Sequence, residues 1–320
     1  MLFSLLSFLS SFLPPWRQPQ PIPKVRRITE EDLGLKILYT PAEGTPIKYE
    51  IIAVHGIGAH PDDTWCKTIK RDGNECKINW LADKEMLPAV LPDARIMRFG
   101  AKTQWFGEYS IKTSTSNVAE LLLGALSRYR KNTDSKARPL IFIAHCFGGL
   151  AVMKALLNAA NSAKERHIFD SVTGIAFMGT PFRGAEQTGQ EEMVGGAREV
   201  YKDVHPEILS ITKPDSEMLG EIVDRFIEKR KESQVAAQLV CFYELELCDV
   251  MAVVDKTTPN QKTIRVGKSS GCLDEARKIP LQRNHFNMNK FGGPDEETYK
   301  TVQEEIVEMV KGLNPNAQHS

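Results

Sequence analysis

The stretch Pro139–Leu157, PLIFIAHCFGGLAVMKALL, decides how this chain is read. Its first part, Leu140 to Ala144, is a short run of apolar and β-branched residues, the pattern of a strand buried on both faces. From Gly149 onward, Leu150, Val152, Met153, Leu156 and Leu157 recur at helical spacing. The junction Ala144-His145-Cys146-Phe147-Gly148 has the spacing of G-x-S-x-G, with Ala at the first position and Cys where the nucleophile stands. Small residues two before and two after that position let strand and helix approach closely, so a tight turn holds the central side chain in the open. The amides at the start of the following helix then favour a thiolate at Cys146. A buried structural cysteine at a strand–helix junction fits the same residues, so the rest of the chain has to discriminate.

Working outward from that stretch, buried strand runs alternate with amphipathic helices, which predicts an α/β fold with a mostly parallel central sheet and helices on both faces. Before it, LKILY (Leu35–Tyr39), Ile47–Val54 and ARIMRF (Ala94–Phe99) read as strands. Residues 61–79 are polar and read as a surface excursion, with a turn at Asp72-Gly73-Asn74. A helix is expected from Trp80 to about Pro88. Another is expected from Val118 to about Arg130, capped by Ser116 or Asn117, with Val118, Leu121, Leu122 and Leu126 inward. After it, VTGIAFM (Val172–Met178) is a strand. An insertion over 183–234 contains a helix from Ser216 to Lys231, and it reads either as a cap over a pocket or as a long crossover. Val235–Tyr243 leads as a strand into Glu244, and Asp249–Val254 is expected to be the last core strand. A helix from about Pro294 to Lys311 closes the domain, with Tyr299, Val302, Ile306, Val307 and Val310 inward.

The 320 residues suffice for one large domain, here 25–311. Residues 1–24 form an apolar segment and a Pro-rich linker, and 312–320 a disordered tail. Residues 1–16 (MLFSLLSFLSSFLPPW) carry no charge and are too short to cross a membrane. Weak contact with a membrane surface or a targeting role is one expectation for them; a helix packed on the domain or a disordered end is the other. Localisation is left between cytoplasmic and membrane-associated, with a signal peptide also open, and oligomeric state is left open. Lys plus Arg equals Asp plus Glu, at 41 each, so no nucleic-acid footprint is expected. The six cysteines form no metal-binding cluster; Cys66 and Cys76 either bridge a surface loop or remain free thiols. No GK[ST] follows a GxxxxG spacing, no HExxH occurs, and no dinucleotide fingerprint is present, so no cofactor and no metal are expected.

Strand Ile51–Val54 runs into His55-Gly56-Ile57-Gly58-Ala59-His60, a loop whose free amides suit half of an oxyanion hole. Ile57 and Gly58 are both candidates for that half, and Phe147, just after the nucleophile position, is the other half. His55 and His60 are read as local loop hydrogen-bonders. Trp105 and Phe106 either line a substrate site or pack their loop. Nucleophile Cys146, acid Glu244 and base His285 stand in the chain order of an α/β-hydrolase triad. Asp255 is the alternative acid; Glu246 and Asp249 also compete.

The segments IIAVHGIGAHPDDTW, LPDARIMRFG, PLIFIAHCFGGLAVMKAL, IAFMGTPFRG, VCFYE and RNHFNMNKF, spread over roughly residues 48–311, resemble the α/β-hydrolase superfamily. More closely, they resemble the SERAC1-like and DUF676-type serine esterases, including fungal versions found beside NACHT or ankyrin modules. The resemblance implies His285 as the base. Where an H-S-L-G-G turn is usual in that family, this chain has His145-Cys146-Phe147-Gly148-Gly149. The departure keeps a nucleophile but changes its chemistry, and it also admits a retired or replaced site. A thiol would form a thioester acyl-enzyme open to water, alcohol or amine. The expected activity is hydrolysis of an ester, thioester or lactone, with a small-molecule acyl substrate. An acyltransferase or cyclase using the same acyl-enzyme, and a non-catalytic binding or signalling module on the hydrolase fold, are the alternatives.

Overall fold

In the computed structural model, residues 26–312 are described except 72, 215, 234–235, 250–253 and 255–261. The apolar runs read at Ile51–Val54, Ala94–Phe99, Leu140–Ala144 and Val172–Met178 become strands, because a strand with no polar alternation must be covered on both sides. In chain order the strands are β1 (Gly34–Tyr39), β2 (Tyr49–Val54), β3 (Cys66–Arg71), β4 (Asn74–Asn79), β5 (Ala94–Gly100) and β6 (Leu140–His145). They continue with β7 (Val172–Met178), β8 (Gln238–Glu244), β9 (Cys248–Asp249), β10 (Lys262–Thr263) and β11 (Arg277–Leu281). The helices are α1 (Leu87–Val90), α2 (Thr115–Asn132), α3 (Phe147–Ala160), α4 (Arg166–Asp170), α5 (Gln187–Val200), α6 (Glu217–Arg230), α7 (Lys268–Gly271) and α8 (Glu297–Lys311).

Seven strands form the central sheet in the order β1-β5-β2-β6-β7-β8-β11. Only β1 is antiparallel; the other neighbours pair in parallel. Along β2 the pleat sends Ile52 and Val54 into the layer shared with α2, α3 and α6. Ile51 and Ala53 go into the opposite layer with Trp80, Tyr299 and Ile306. The sheet is therefore covered on both faces, and each fully buried large apolar side chain contributes about 1.5–3 kcal/mol. The carboxyl ends of β2, β6, β7, β8 and β11 emerge on one edge, where ligands gather in open parallel sheets.

Several local expectations are corrected. The excursion over 61–79 contains the antiparallel hairpin β3–β4, whose register sets Cys76 opposite Ile69 and Cys66 opposite Asn79; both thiols are free. The helix expected from Trp80 reduces to α1, because Pro88 sits at its first turn, where a missing N–H is harmless, and so starts a helix instead of ending one. Trp80 itself is buried, its indole N–H donating to the Asn289 carbonyl at 2.9 Å. Ser114 caps α2 by accepting from the Asn117 amide at 3.2 Å, and Leu121 is 58% exposed, facing solvent instead of the sheet. The last strand of the described central sheet is β11, and residues 250–253 of the strand expected over 249–254 lie outside the described residues. Asp249, with Cys248 before it, pairs with Lys262–Thr263 in a separate two-stranded ribbon. β11 was hidden because its edge position tolerates Arg277, Lys278 and Pro280, which a central strand excludes. The expectations for residues 1–24 and for the tail after Gly312 lie outside the described residues. Among the described residues no helix is long and apolar enough to cross a membrane.

Candidate functional site

The turn after β6 places Cys146 at φ +54° and ψ −128°, a conformation that L-residues rarely adopt. It is over-determined from three sides. The Cys146 amide donates to the Met178 carbonyl at 2.9 Å, and the Cys146 carbonyl accepts from the Gly149 amide at 3.1 Å. A Cβ on Gly148 would stand 2.5 Å from the Val54 carbonyl oxygen, and one on Gly149 would overlap the Thr180 hydroxyl. Both glycines are needed for α3 to start this close to the sheet. The thiol that results is partly open to a cavity at the carboxyl edge.

β8 ends on Glu244, and the parallel register of β11 sets Leu281 beside it. The chain needs only four more residues to bring His285 back over the same edge. His285 Nδ1 and Glu244 Oε2 are 3.1 Å apart, with both residues at most 2% exposed. The second carboxylate oxygen accepts from the Val266 amide at 2.7 Å. His285 Nε2 is buried with no nitrogen or oxygen partner among the described residues. It interacts electrostatically with the Cys146 thiol. Asp255 lies outside the described residues, and the exposed Glu246 borders a separate polar groove.

The electrostatics follow from this packing. Burial resists ionisation of Cys146, but the His285 charge and hydrogen bond, Arg265 and the Phe147 amide outweigh it and lower the thiol below its ordinary value. Burial likewise disfavours the imidazolium of His285, yet Cys146 and Glu244 raise it to about 9. The two shifts favour a thiolate–imidazolium pair. His145, next to the nucleophile, is held well below its ordinary value by burial and by the neighbouring His285 charge. In its neutral form it donates from Nε2 to the His285 carbonyl at 2.9 Å and braces that loop.

The loop after β2 contributes amides, and here the two candidates separate. The Gly58 amide is engaged by the Thr103 carbonyl at 3.0 Å and its hydroxyl at 3.1 Å. The Ile57 amide has no protein acceptor among the described residues, and Ile57 lines the cavity beside Cys146. Ile57 and Phe147 therefore carry the free amides. His55 is occupied between the Gly56 carbonyl (2.9 Å) and the Ala101 amide (3.2 Å). His60 accepts from the Asp62 amide and lies 3.5 Å from Asp32. Arg98 fills that acidic corner, donating to Asp62 at 2.7 Å and so taking the place a cation would need.

The cavity, of about 160 Å³, joins these groups to Trp105, Phe106, Met193, Leu209 and Phe286. Trp105 and Phe106 do both things expected of them: they line the cavity and stack edge-to-face at 4.7 Å. Arg265, Val266 and Lys290 also belong to the site. Sequence reading missed them because the first two sit in an irregular segment with no period, and the third follows the base without a motif of its own.

No family model matches the chain. It is similar to Protein SERAC1 of Danio rerio, 24% identical over 282 residues, covering 83% of this chain and 40% of that protein. Protein SERAC1 of Mus musculus is 27% identical over 275 residues, covering 83% and 39%. The chain thus spans about two fifths of the length of these curated relatives. Among solved structures, the mature Bacillus licheniformis lipase BlEst2 superposes with a TM-score of 0.52 at 11% identity, covering 85% of this chain and 97% of that one. The sheet order, the strained turn after β6 and a whole-domain superposition agree, and the chain has the α/β-hydrolase fold.

Proposed function

We propose that this protein is an acyl hydrolase that cleaves an ester, thioester or lactone through Cys146, His285 and Glu244. The observation that carries the reading is the buried relay at the mouth of the strained turn. Glu244 holds His285 Nδ1 at 3.1 Å, so that Nε2 is left for the thiol. The similarity to SERAC1 and the likeness to a lipase support it.

In the first half-reaction the Cys146 thiolate adds to the substrate carbonyl. The oxyanion is met by the Phe147 and Ile57 amides, and His285 gives its proton to the departing alcohol or thiol. A thioester now links the acyl group to Sγ. In the second half-reaction His285 takes a proton from water, hydroxide adds to the thioester carbonyl, and collapse releases the acid and restores the thiolate–imidazolium pair. Glu244 fixes the imidazole tautomer and stabilises its charged form throughout. Residues 183–234 act as a cap in this reading, since Ala185, Met193, Leu209 and Thr212 close one side of the cavity.

Intact-mass analysis after incubation with activated esters, thioesters and lactones tests this. An acyl adduct mapped to Cys146, and absent from Cys146→Ala, is the expected result, with turnover lost by roughly a thousandfold or more. No adduct at neutral pH, while Cys66 and Cys76 react, would sink the enzyme reading in favour of a binding module. Product analysis with added amines or alcohols separates hydrolysis from acyl transfer.

A further inference from the structure

Among the described residues the cavity wall holds no carboxylate, yet it holds two cations, Arg265 and Lys290. Arg265 is 8% exposed, forms no ion pair and donates no side-chain hydrogen bond to a described residue, and its Nη1 is wholly buried. Lys290 likewise lacks an ion pair among the described residues, although burial pushes its ammonium below the ordinary value. A buried guanidinium without a counter-ion is strongly unfavourable, because its desolvation is returned only by an anion of matching geometry. The proton shared by Cys146 and His285 leaves the sum of their charges unchanged wherever it resides. Asp63 offsets part of the Lys290 charge, so Arg265 is the cation that faces the cavity without a counter-charge among the described residues.

We propose that Arg265, together with Lys290, is the specificity-determining anion site of this pocket, and that the acyl substrate carries a carboxylate or phosphate group close to the reacting carbonyl. The inference rests on the acyl-enzyme reading and deepens it. Guanidinium suits either anion, binding two oxygens at once. Its position is set by the chain: Val266 is anchored to Glu244 at 2.7 Å, which holds the preceding Arg265 at the rim of the relay. Its charge reaches the Cys146 sulfur, so an anion paired with it would lie beside the carbonyl attacked by that sulfur. The apolar remainder of the wall, with Trp105, Phe106 and Met193, takes the hydrocarbon part of the acyl group.

Two matched substrate pairs test this and separate the sources of the anion. S-benzyl pentanoyl and S-benzyl glutaryl thioesters differ by a carboxylate on the acyl side. Pentanoyl thioesters of pantetheine and phosphopantetheine differ by a phosphate on the leaving side. The wild-type enzyme should prefer the anionic member of one pair by about tenfold or more in kcat/KM. Arg265→Gln should remove that preference mainly through KM, Arg265→Lys should restore part of it, and Lys290→Gln should reduce it less. Because each readout is a ratio within a pair, loss of thiolate stabilisation alone would slow both members equally. An equal ratio in wild type and R265Q for both pairs would therefore overturn the proposal. If R265Q fails to fold, absence of any anionic preference in the wild type or in K290Q overturns it equally. If no thioester acylates Cys146, the hydrolase reading fails by itself. The anion site is then judged by calorimetry of glutarate and of inorganic phosphate with C146A: binding that K290Q weakens sustains it, and no binding of either removes it.

Discussion

The two ends of the central sheet both bury charge, and they handle it in opposite ways. At the amino end, Glu50 and Arg130 are fully buried and paired at 2.9 Å. Both terminal nitrogens of Arg130 are engaged, Nη2 with the Lys136 and Arg138 carbonyls and the Ser171 hydroxyl. The other Glu50 oxygen accepts from Arg138 at 2.7 Å. At the carboxyl end, His285 Nε2, His145 Nδ1 and Arg265 Nη1 are buried without hydrogen-bond partners among the described residues. At the amino end matched charges tie α2 and the following loop to the sheet, although Arg130 Nε has no partner among the described residues; at the carboxyl end unmatched polar atoms gather in a cavity. Burial of charge thus distinguishes nothing here, while its pairing does.

Substitutions can break this contrast. The largest expected effect is at the carboxyl end: Glu244→Gln should lower the rate of acyl-enzyme formation by about 10²–10⁴-fold, since His285 loses its orienting partner. Its denaturation midpoint should move much less than its rate. Asp255→Asn should change the rate far less, and a reversal of the two effects in burst kinetics would hand the acid role to Asp255. At the amino end the pattern should invert. Glu50→Gln leaves Arg130 buried beside an uncharged partner and should cost about 3–5 kcal/mol in denaturant unfolding. The acylation rate per folded molecule should stay close to that of the wild type; a fall matching the Glu244 variant would erase the division between the two ends.

A subtler test is the pH dependence of the relay. Alkylation of Cys146 by iodoacetamide should persist to lower pH than that of Cys66, whose thiol burial pushes up. His285→Gln should return Cys146 to slow alkylation at neutral pH. Folded His285 sits near 9 against an ordinary 6.5. Its contribution to stability is therefore fully present below about pH 6.5 and lost as pH rises through about 9. The gap in stability between wild type and the His285 variant should narrow over that window, and a gap that widens instead would contradict the assigned pairing. The smallest effect is expected at Leu121, whose side chain the helix turns outward. Leu121→Ser should change unfolding free energy by no more than about 0.5 kcal/mol, and a core-sized loss would return Leu121 to the sheet face.

The sequence by itself determined the elements whose information is local. Leu140–Ala144 is apolar without alternation, so it had to be a covered strand. Gly148 and Gly149 after Cys146 could serve only a tight strand-to-helix turn, and the structure closes Val54 and Thr180 on those two glycines. Cys146 and Glu244 were legible for the same reason, since each ends or follows a readable strand, whereas His285 was read from its late place in the chain and from the resemblance carried by RNHFNMNKF. Tertiary structure alone decided what depends on neighbours distant in sequence. Only the pairing of β11 with β8 made Arg277–Leu281 the seventh strand and delivered His285 to Glu244. Ile57 and Gly58, alike in the sequence, differ in the fold because Thr103 occupies the Gly58 amide. Arg265 was placed beside Cys146 and His285 by the fold alone. No periodicity can show which side chains line a cavity, because that is a property of the folded chain and of no single segment.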